Sequence, residues 1–233
     1  ISKRKILDYS KNIVGFSTKR KIVVIESDDW GSIRTRSKND YLSMLEAGLN
    51  VDENSYTKYD CLESNEDLEL LYEVLSFHKD STGRHPVITP MYIMANPDFE
   101  KIEQDNFENY YFEHFLDTAK VYPKSDKLGE IIKEGISKRL FVPALHGREH
   151  LNAPRWMRML KNKNKGVHIS FKYRSIGANR FKGELIPKYL EAFDPEFAQD
   201  IVEINQSLVD SAKMFYTTFG YKPEHFIEPD NFG

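Results

Sequence analysis

Two short clusters of side chains in this sequence combine residue types that bind divalent metal ions. The first is the acidic pair Asp28-Asp29, which follows the apolar run of residues 21–25. The second is the pair His146 and His150, which also follows an apolar run. Carboxylate and imidazole ligands together favour zinc or another first-row ion over calcium. The two clusters are therefore candidates for one metal centre.

The acidic pair has a metal-binding and an ordinary interpretation. A carboxylate placed near a core loses several kcal/mol of solvation unless it is paired or bound to a metal. Because adjacent residues leaving a strand point in different directions, one carboxylate can bind a metal while the other faces a water molecule. Taken alone, however, an Asp-Asp pair is also typical of a solvated turn.

The histidine pair allows three interpretations. A spacing of four residues would place both imidazoles on one face of a helical turn, with Cβ atoms about 5–6 Å apart. Ordinary surface histidines would show the same spacing. His-x-x-Glu-His is also a zinc metalloprotease signature, in which Glu149 would be the base on a continuous helix. Gly147 and the strand-like run before it disfavour that helix, so the protease remains a minor alternative.

The elements that must position these residues alternate between strands and helices. Apolar runs at 21–25, 87–94 and 141–145 predict buried parallel strands, and two of them end in the candidate ligands. This rhythm indicates a parallel α/β architecture, whose chemistry lies at the carboxyl ends of the strands. Helices are predicted over 3–14, 37–49, 64–79, 128–140, 154–160 and 197–219, with a short final strand over 225–229.

Composition limits the classes of protein that this chain can represent. The chain has 233 residues, with 33 Lys and Arg against 36 Asp and Glu, and this balance argues against a dedicated nucleic-acid binder. We expect one domain over residues 1–233, truncated at its C-terminus because the last residues resemble the middle of a loop. No membrane span or signal peptide is expected, and the lone Cys61 indicates a reducing, cytoplasmic location.

An apolar strand ending in Asp-Asp, followed by a His-x3-His loop, resembles the polysaccharide deacetylase family (carbohydrate esterase family four, the NodB homology domain). The resemblance implies a distorted parallel (β/α) barrel of about seven strands, of the glycoside hydrolase and deacetylase type. It also implies removal of N- or O-acetyl groups from a carbohydrate substrate, with a bound divalent cation that is usually zinc and sometimes cobalt or another first-row ion.

The resemblance assigns roles to individual residues. Asp28 would be the general base, and Asp29, His146 and His150 would bind the metal. Trp30, which adjoins the proposed base, would wall the substrate pocket, and Arg148 would contact the substrate.

The chain departs from the family pattern at three points. Trp30 precedes Gly31, where the family has glycine directly after the acidic pair. The arginine that steadies the base is missing before Pro229, so that Arg34, Arg148 or Arg155 would have to replace it. The late histidine that serves as the acid does not follow residue 226. A catalytically silent carbohydrate-binding relative is therefore the main alternative.

Overall fold

The structure is a computed structural model that describes residues 10, 17–53, 55–177, 180–185 and 188–229. The predicted helix over 3–14 lies almost entirely outside these residues. The described part is a mixed α/β fold, as the sequence predicts. Its strands are β1 (Ile25–Trp30), β2 (Ile88–Ile93), β3 (Ala95–Pro97), β4 (Phe112–His114) and β5 (Ala144–Gly147).

A parallel three-stranded sheet with the order β1-β2-β5 forms the centre of the fold. β2 is buried along nearly its whole length, which explains why its sequence is apolar on both faces. Beyond β5, Leu145 forms an isolated parallel bridge with Phe226, so the predicted strand over 225–229 makes only one ladder contact. Strands β3 and β4 form a separate antiparallel pair.

The first strand begins later than its apolar pattern predicts. Ile22, Val23 and Val24 are largely exposed, and pairing starts only at Ile25, opposite Ile88. A strand needs a partner, and Pro86, which has no backbone N–H, stands just before β2 begins. Because β1 extends to Trp30, it contains the acidic pair that the sequence places just after the strand.

Helices surround the sheet, and the ends of several of them follow local sequence signals. The helix predicted over 64–79 begins with a capping box formed by Ser64 and Asp67. Asn152 caps the helix that contains Pro154, and the last helix ends at Gly220, which has a φ of 80°. The helices are α1 (Lys38–Glu46), α2 (Ser55–Tyr59), α3 (Asn65–Phe77), α4 (Phe99–Gln104), α5 (Phe115–Val121), α6 (Leu128–Ser137), α7 (Ala153–Lys161), α8 (Lys165–Lys172) and α9 (Asp200–Phe219).

One large hydrophobic core joins the sheet to the surrounding helices. Fully buried aromatic side chains from β2, α5, α7 and α9 contribute to it together with Phe141. This core holds the strands in place, and the candidate ligands lie at the carboxyl ends of these strands. Within the described ranges, no helix is both long and apolar enough to cross a membrane.

Candidate metal centre

Asp29, His146 and His150 meet at the carboxyl edge of the parallel sheet, although 117 residues separate the first two. The Oδ1 atom of Asp29 lies 3.2 Å from Nε2 of His146 and 3.3 Å from Nε2 of His150. Both histidines are buried, and Asp29 is partly buried. The three side chains predicted as ligands therefore form a group that could hold a metal ion.

Irregularities in the strand pairing place two of these ligands. Ser27 pairs with Pro90, and the next pair is Trp30 with Tyr92. Between these pairs β1 advances by three residues while β2 advances by two. Asp29 lies in this irregularity and has a φ of 65°, which is unusual for a residue other than glycine. Bulges of this kind change the direction of a side chain and are common beside functional sites. The backbone of β1 therefore turns Asp29 out of the regular strand alternation.

A second irregularity occurs in β5 at His146. Tyr92 pairs with Leu145, but the next residue, Ile93, pairs with Gly147, so His146 is the extra residue on β5. Gly147 then adopts a φ of 132°, which L side chains rarely adopt. Both of the strands that flank β2 thus depart from regular pairing at a candidate ligand.

The two histidines come together without the helical turn that their spacing suggested. β5 ends at Gly147, and a loop precedes α7, which begins at Ala153. His150 lies in that loop, and its ring centroid is 5.7 Å from that of His146. A strand end followed by a loop therefore produces the same convergence as a helical i,i+4 pair.

The charges around the site stabilise the protonation states that metal ligands need. Burial by itself would raise the pKa of Asp29, but its contact with His146, the charge of Arg34 and the charge that His150 carries when protonated hold it well below its ordinary value. Burial, followed by the charge of Arg34, lowers the pKa of His150 to about 4. At neutral pH, Asp29 is therefore ionised and His150 is neutral.

Two of the three separations between ligand atoms match those around a tetrahedral first-row ion, and all three atoms lie within 4.8 Å of one another. Ligand atoms about 2.0–2.1 Å from such an ion lie about 3.3–3.4 Å apart, close to the two measured Asp29–His distances. The other ring nitrogen of His146, Nδ1, lies 2.8 Å from the carbonyl oxygen of Ile227, to which it must donate. In the neutral ring, this bond leaves a lone pair on Nε2, the atom that faces Asp29.

Asp28, predicted as the base, lies on the surface beside this group. Its side chain is exposed and has no hydrogen-bond or ion-pair partner among the described residues. Its charge nevertheless acts on Asp60, together with the charges of Asp29 and Arg34. The structure therefore places Asp28 in the same electrostatic cluster as the ligand group.

The two predicted substrate-binding residues make other contacts. Trp30 packs edge-on against Phe141, with ring centroids 5.5 Å apart, and lies against the main core. The guanidinium of Arg148 is buried, makes two hydrogen bonds to Glu149 and one to Asp210, and lies over the ring of Phe112. These contacts give both residues a packing role, and neither role was predicted from the sequence.

The metalloprotease alternative requires a helix and a free Glu149, and the structure shows neither. The segment carrying the histidines is a strand followed by a loop. Glu149 is buried, and both of its carboxylate oxygens accept hydrogen bonds from Arg148. Each member of the His-x-x-Glu-His pattern is thus present, but the Glu side chain is bound to its neighbour.

Sequence reasoning considered Arg34 only as one of three possible replacements, and it missed Asp60. The Nη2 atom of Arg34 lies 3.1 Å from Oδ2 of Asp29, the oxygen that the histidines leave free. Burial and the neighbouring charges of Asp29 and Asp28 raise the pKa of Asp60, although Arg34 opposes the shift. Arg34 follows Asp29 by only five residues, but no known spacing pattern identifies either residue from the sequence.

Comparisons of the chain with protein-family models, with characterised proteins and with solved structures return no match. The functional argument therefore depends on the geometry of the site.

Proposed function

We propose that this protein is a metal-dependent hydrolase that removes acetyl groups from an N-acetylated or O-acetylated carbohydrate. The observation that carries the proposal is the convergence of Asp29, His146 and His150 at the carboxyl edge of a parallel sheet. One carboxylate and two imidazoles leave coordination positions open, as catalytic zinc sites do. We further propose that the three parallel strands belong to a distorted (β/α) barrel of the deacetylase type.

The residues around the ligand group support distinct roles in hydrolysis. A divalent ion, zinc in this proposal, would lower the pKa of a water molecule towards about 7 and polarise the acyl carbonyl. Asp28 would accept the proton of the attacking water, and Arg34 would hold Asp29 in its ligand orientation. Asp60 would be the proton donor to the leaving group in this proposal, because it is partly buried and the charges of Arg34, Asp29 and Asp28 act on it.

Metal analysis of the purified protein tests the site directly. The wild-type chain should bind one zinc or cobalt ion per molecule, and Asp29→Ala and His146→Ala should each weaken binding by at least about tenfold. His85→Ala is a matched control, because His85 is only partly buried and its Nδ1 atom contacts the carbonyl of His78. Equal metal content in the wild type and both site variants would show that Asp29 and His146 do not form a metal centre.

Acetate release from N-acetylated and O-acetylated oligosaccharides tests the activity. Asp28→Asn should lower turnover by about 10²–10⁴-fold without reducing metal content, since general base catalysis contributes factors of that size. Asp117→Asn changes an exposed carboxylate that pairs with Lys120 and should leave turnover unchanged. Unchanged turnover in Asp28→Asn would show that Asp28 is not the base.

A second candidate is a carbohydrate-binding protein that keeps the metal group without activity. The observation that favours it is the lack of any arginine contact to Asp28 among the described residues. Metal binding and oligosaccharide binding without acetate release, even at high enzyme concentration, would support this alternative.

A further inference from the structure

One short segment contacts both the turn that follows Asp29 and the stretch between His146 and His150. This segment consists of Met94, which follows β2, and of Ala95 and Asn96, the first two residues of β3, and it is fully buried or nearly so. The backbone N–H of Met94 donates to the carbonyl of Gly147 at 3.0 Å, and that of Ala95 donates to the carbonyl of Arg148 at 2.6 Å. Backbone hydrogen bonds therefore hold the loop between the two histidines.

The side chain of Asn96 holds the other loop. Its Nδ2 atom donates to the carbonyl of Gly31 at 2.9 Å, and its Oδ1 accepts from the N–H of Ile33 at 3.0 Å. Gly31 lies in the turn over residues 29–32, which a hydrogen bond from Ser32 N–H to the Asp29 carbonyl closes, and Ile33 directly follows this turn. Asn96 is 1% exposed, so water cannot replace these bonds at low cost.

The turn held by Asn96 is also confined from two further directions. The N–H of Gly31 donates to the carboxylate of Glu63 at 3.1 Å. A Cβ atom on Gly31 would lie 2.6 Å from the carbonyl oxygen of Ile93, so the turn packs directly on the end of β2. Asp29, which has a left-handed backbone conformation, therefore begins this turn. The N–H of Gly31 in the turn is bound by Glu63, and its carbonyl is bound by Asn96.

We infer that Asn96 is a positioning residue that sets the distance between Asp29 and the two histidines. This inference rests on the proposed metal centre. The stretch between the two histidines is bound to this segment through main-chain atoms, whereas the turn after Asp29 is bound to it through the Asn96 side chain. Removal of the Asn96 amide should therefore loosen the turn that carries Asp29, although Glu63 and Arg34 keep their contacts, and should leave the histidine pair in place. Residues that support metal ligands in this way typically contribute 10–100-fold to affinity, about 1.4–2.7 kcal/mol.

The inference makes a specific prediction for cobalt binding. Asn96→Ala should weaken Co²⁺ affinity by about 10–100-fold and change the visible absorption spectrum towards that of Asp29→Ala. In the Asp29→Ala background, the same Asn96 substitution should weaken affinity by less than about threefold, because the ligand that it positions is already absent. Asn96→Ser also removes the amide but changes the side-chain volume slightly less than Asn96→Ala does. It should show the same pattern and replaces Asn96→Ala if that variant folds poorly.

A stability control separates positioning from general damage. Asn164→Ala removes a different side-chain hydrogen bond, the cap on Val167 N–H in α8, and should lower the free energy of unfolding by about 1 kcal/mol while Co²⁺ affinity stays unchanged.

Three outcomes are distinguishable. A loss of affinity in the Asn96 variants that disappears in the Asp29→Ala background supports the inference. Wild-type affinity in Asn96→Ala and Asn96→Ser, or an equal loss in both backgrounds, overturns it and leaves the metal centre intact. A wild-type chain that binds no Co²⁺ or Zn²⁺ overturns the metal centre and this inference together.

Discussion

At the scale of single residues, the site depends on side chains that are held in unusual environments. His150 is the clearest example, since burial and Arg34 lower its pKa from 6.5 to about 4. In the unfolded chain the same imidazole takes up a proton near its ordinary pKa. Between these two values the unfolded state binds more protons, and the folded state loses stability as the pH falls.

The expected consequence is a pH-dependent difference between the wild type and His150→Gln. In the metal-free wild-type protein, the contribution of His150 to the free energy of unfolding should fall by up to about 3 kcal/mol from pH about 7 to about 4. His150→Gln should lack that contribution. Urea titrations of both proteins across this range measure the difference, in which the titrations of other groups cancel. Parallel pH profiles would contradict the low pKa of His150.

Gly31 tests how tightly the turn after Asp29 is confined. Gly31 has a φ of 77°, and an added Cβ would approach the carbonyl of Ile93. Gly83 has a φ of 84°, and nothing lies within 4 Å of an added Cβ. Gly83→Ala should therefore show only the left-handed cost of about 1–2 kcal/mol.

Gly31→Ala should lose more stability than Gly83→Ala and should also weaken metal binding, because the turn must move. Thermal or urea unfolding and Co²⁺ titration of both variants provide the measurements. Equal stability losses with unchanged Co²⁺ affinity would show that the turn can move without disturbing Asp29.

At the scale of elements, two glycines in α6 should respond in opposite directions to the same substitution. Alanine is favoured over glycine inside a helix by up to about 1 kcal/mol. A Cβ on Gly129 would make ordinary contact with Leu116 at 3.4 Å, whereas one on Gly135 would overlap the buried ring of Tyr72 in α3. The contact between α3 and α6 therefore requires glycine at position 135 and not at position 129.

Gly129→Ala should raise the free energy of unfolding by a few tenths to about 1 kcal/mol. Gly135→Ala should lower it by about 1–3 kcal/mol, because overpacking outweighs helix propensity. Urea unfolding of both variants gives the sign of each effect. Combining Gly135→Ala with Tyr72→Leu should recover part of the loss, and a loss that persists in full would place its cause elsewhere.

The sequence predicted most of these elements, because their signals are local. The helices predicted over 64–79 and 197–219 and the strand predicted from the apolar run over 87–94 each depend on neighbouring residues only, and all three were confirmed. The predicted start of β1 was wrong, and the helical turn considered as one interpretation of the histidine spacing does not form. Strand pairing decides the first, and the irregular register of β5 decides the second, so neither could be obtained from a local pattern.

At the scale of the whole molecule, the prediction that mattered most was long-range. The sequence placed Asp29 and both histidines at strand exits, and the rule that parallel strands end at one edge brought them together. The contributions of Asn96 and Arg34 could not be predicted in the same way. Their roles depend on which backbone groups a folded turn presents to them, and no spacing in the sequence records that arrangement.

A bound metal would also connect the two outer strands of the parallel sheet, β1 and β5. Asp29 is on β1 and His146 on β5, with β2 between them, so an ion shared by these residues must be lost when the strands separate. Zinc at about 100 times its Kd should therefore raise the free energy of unfolding by about 2.7 kcal/mol. Thermal unfolding with increasing Zn²⁺, compared with the protein in excess chelator, measures this increment.

The variants separate this linkage from nonspecific binding of zinc. Asp29→Ala should lose most of the zinc-dependent increment at the same zinc concentration, because the two strands are then joined by the histidine side alone. Asn164→Ala should begin from a lower stability and keep the full increment, since its lost cap lies in α8. An increment that survives Asp29→Ala unchanged would mean that zinc binds elsewhere and does not hold β1 and β5 together.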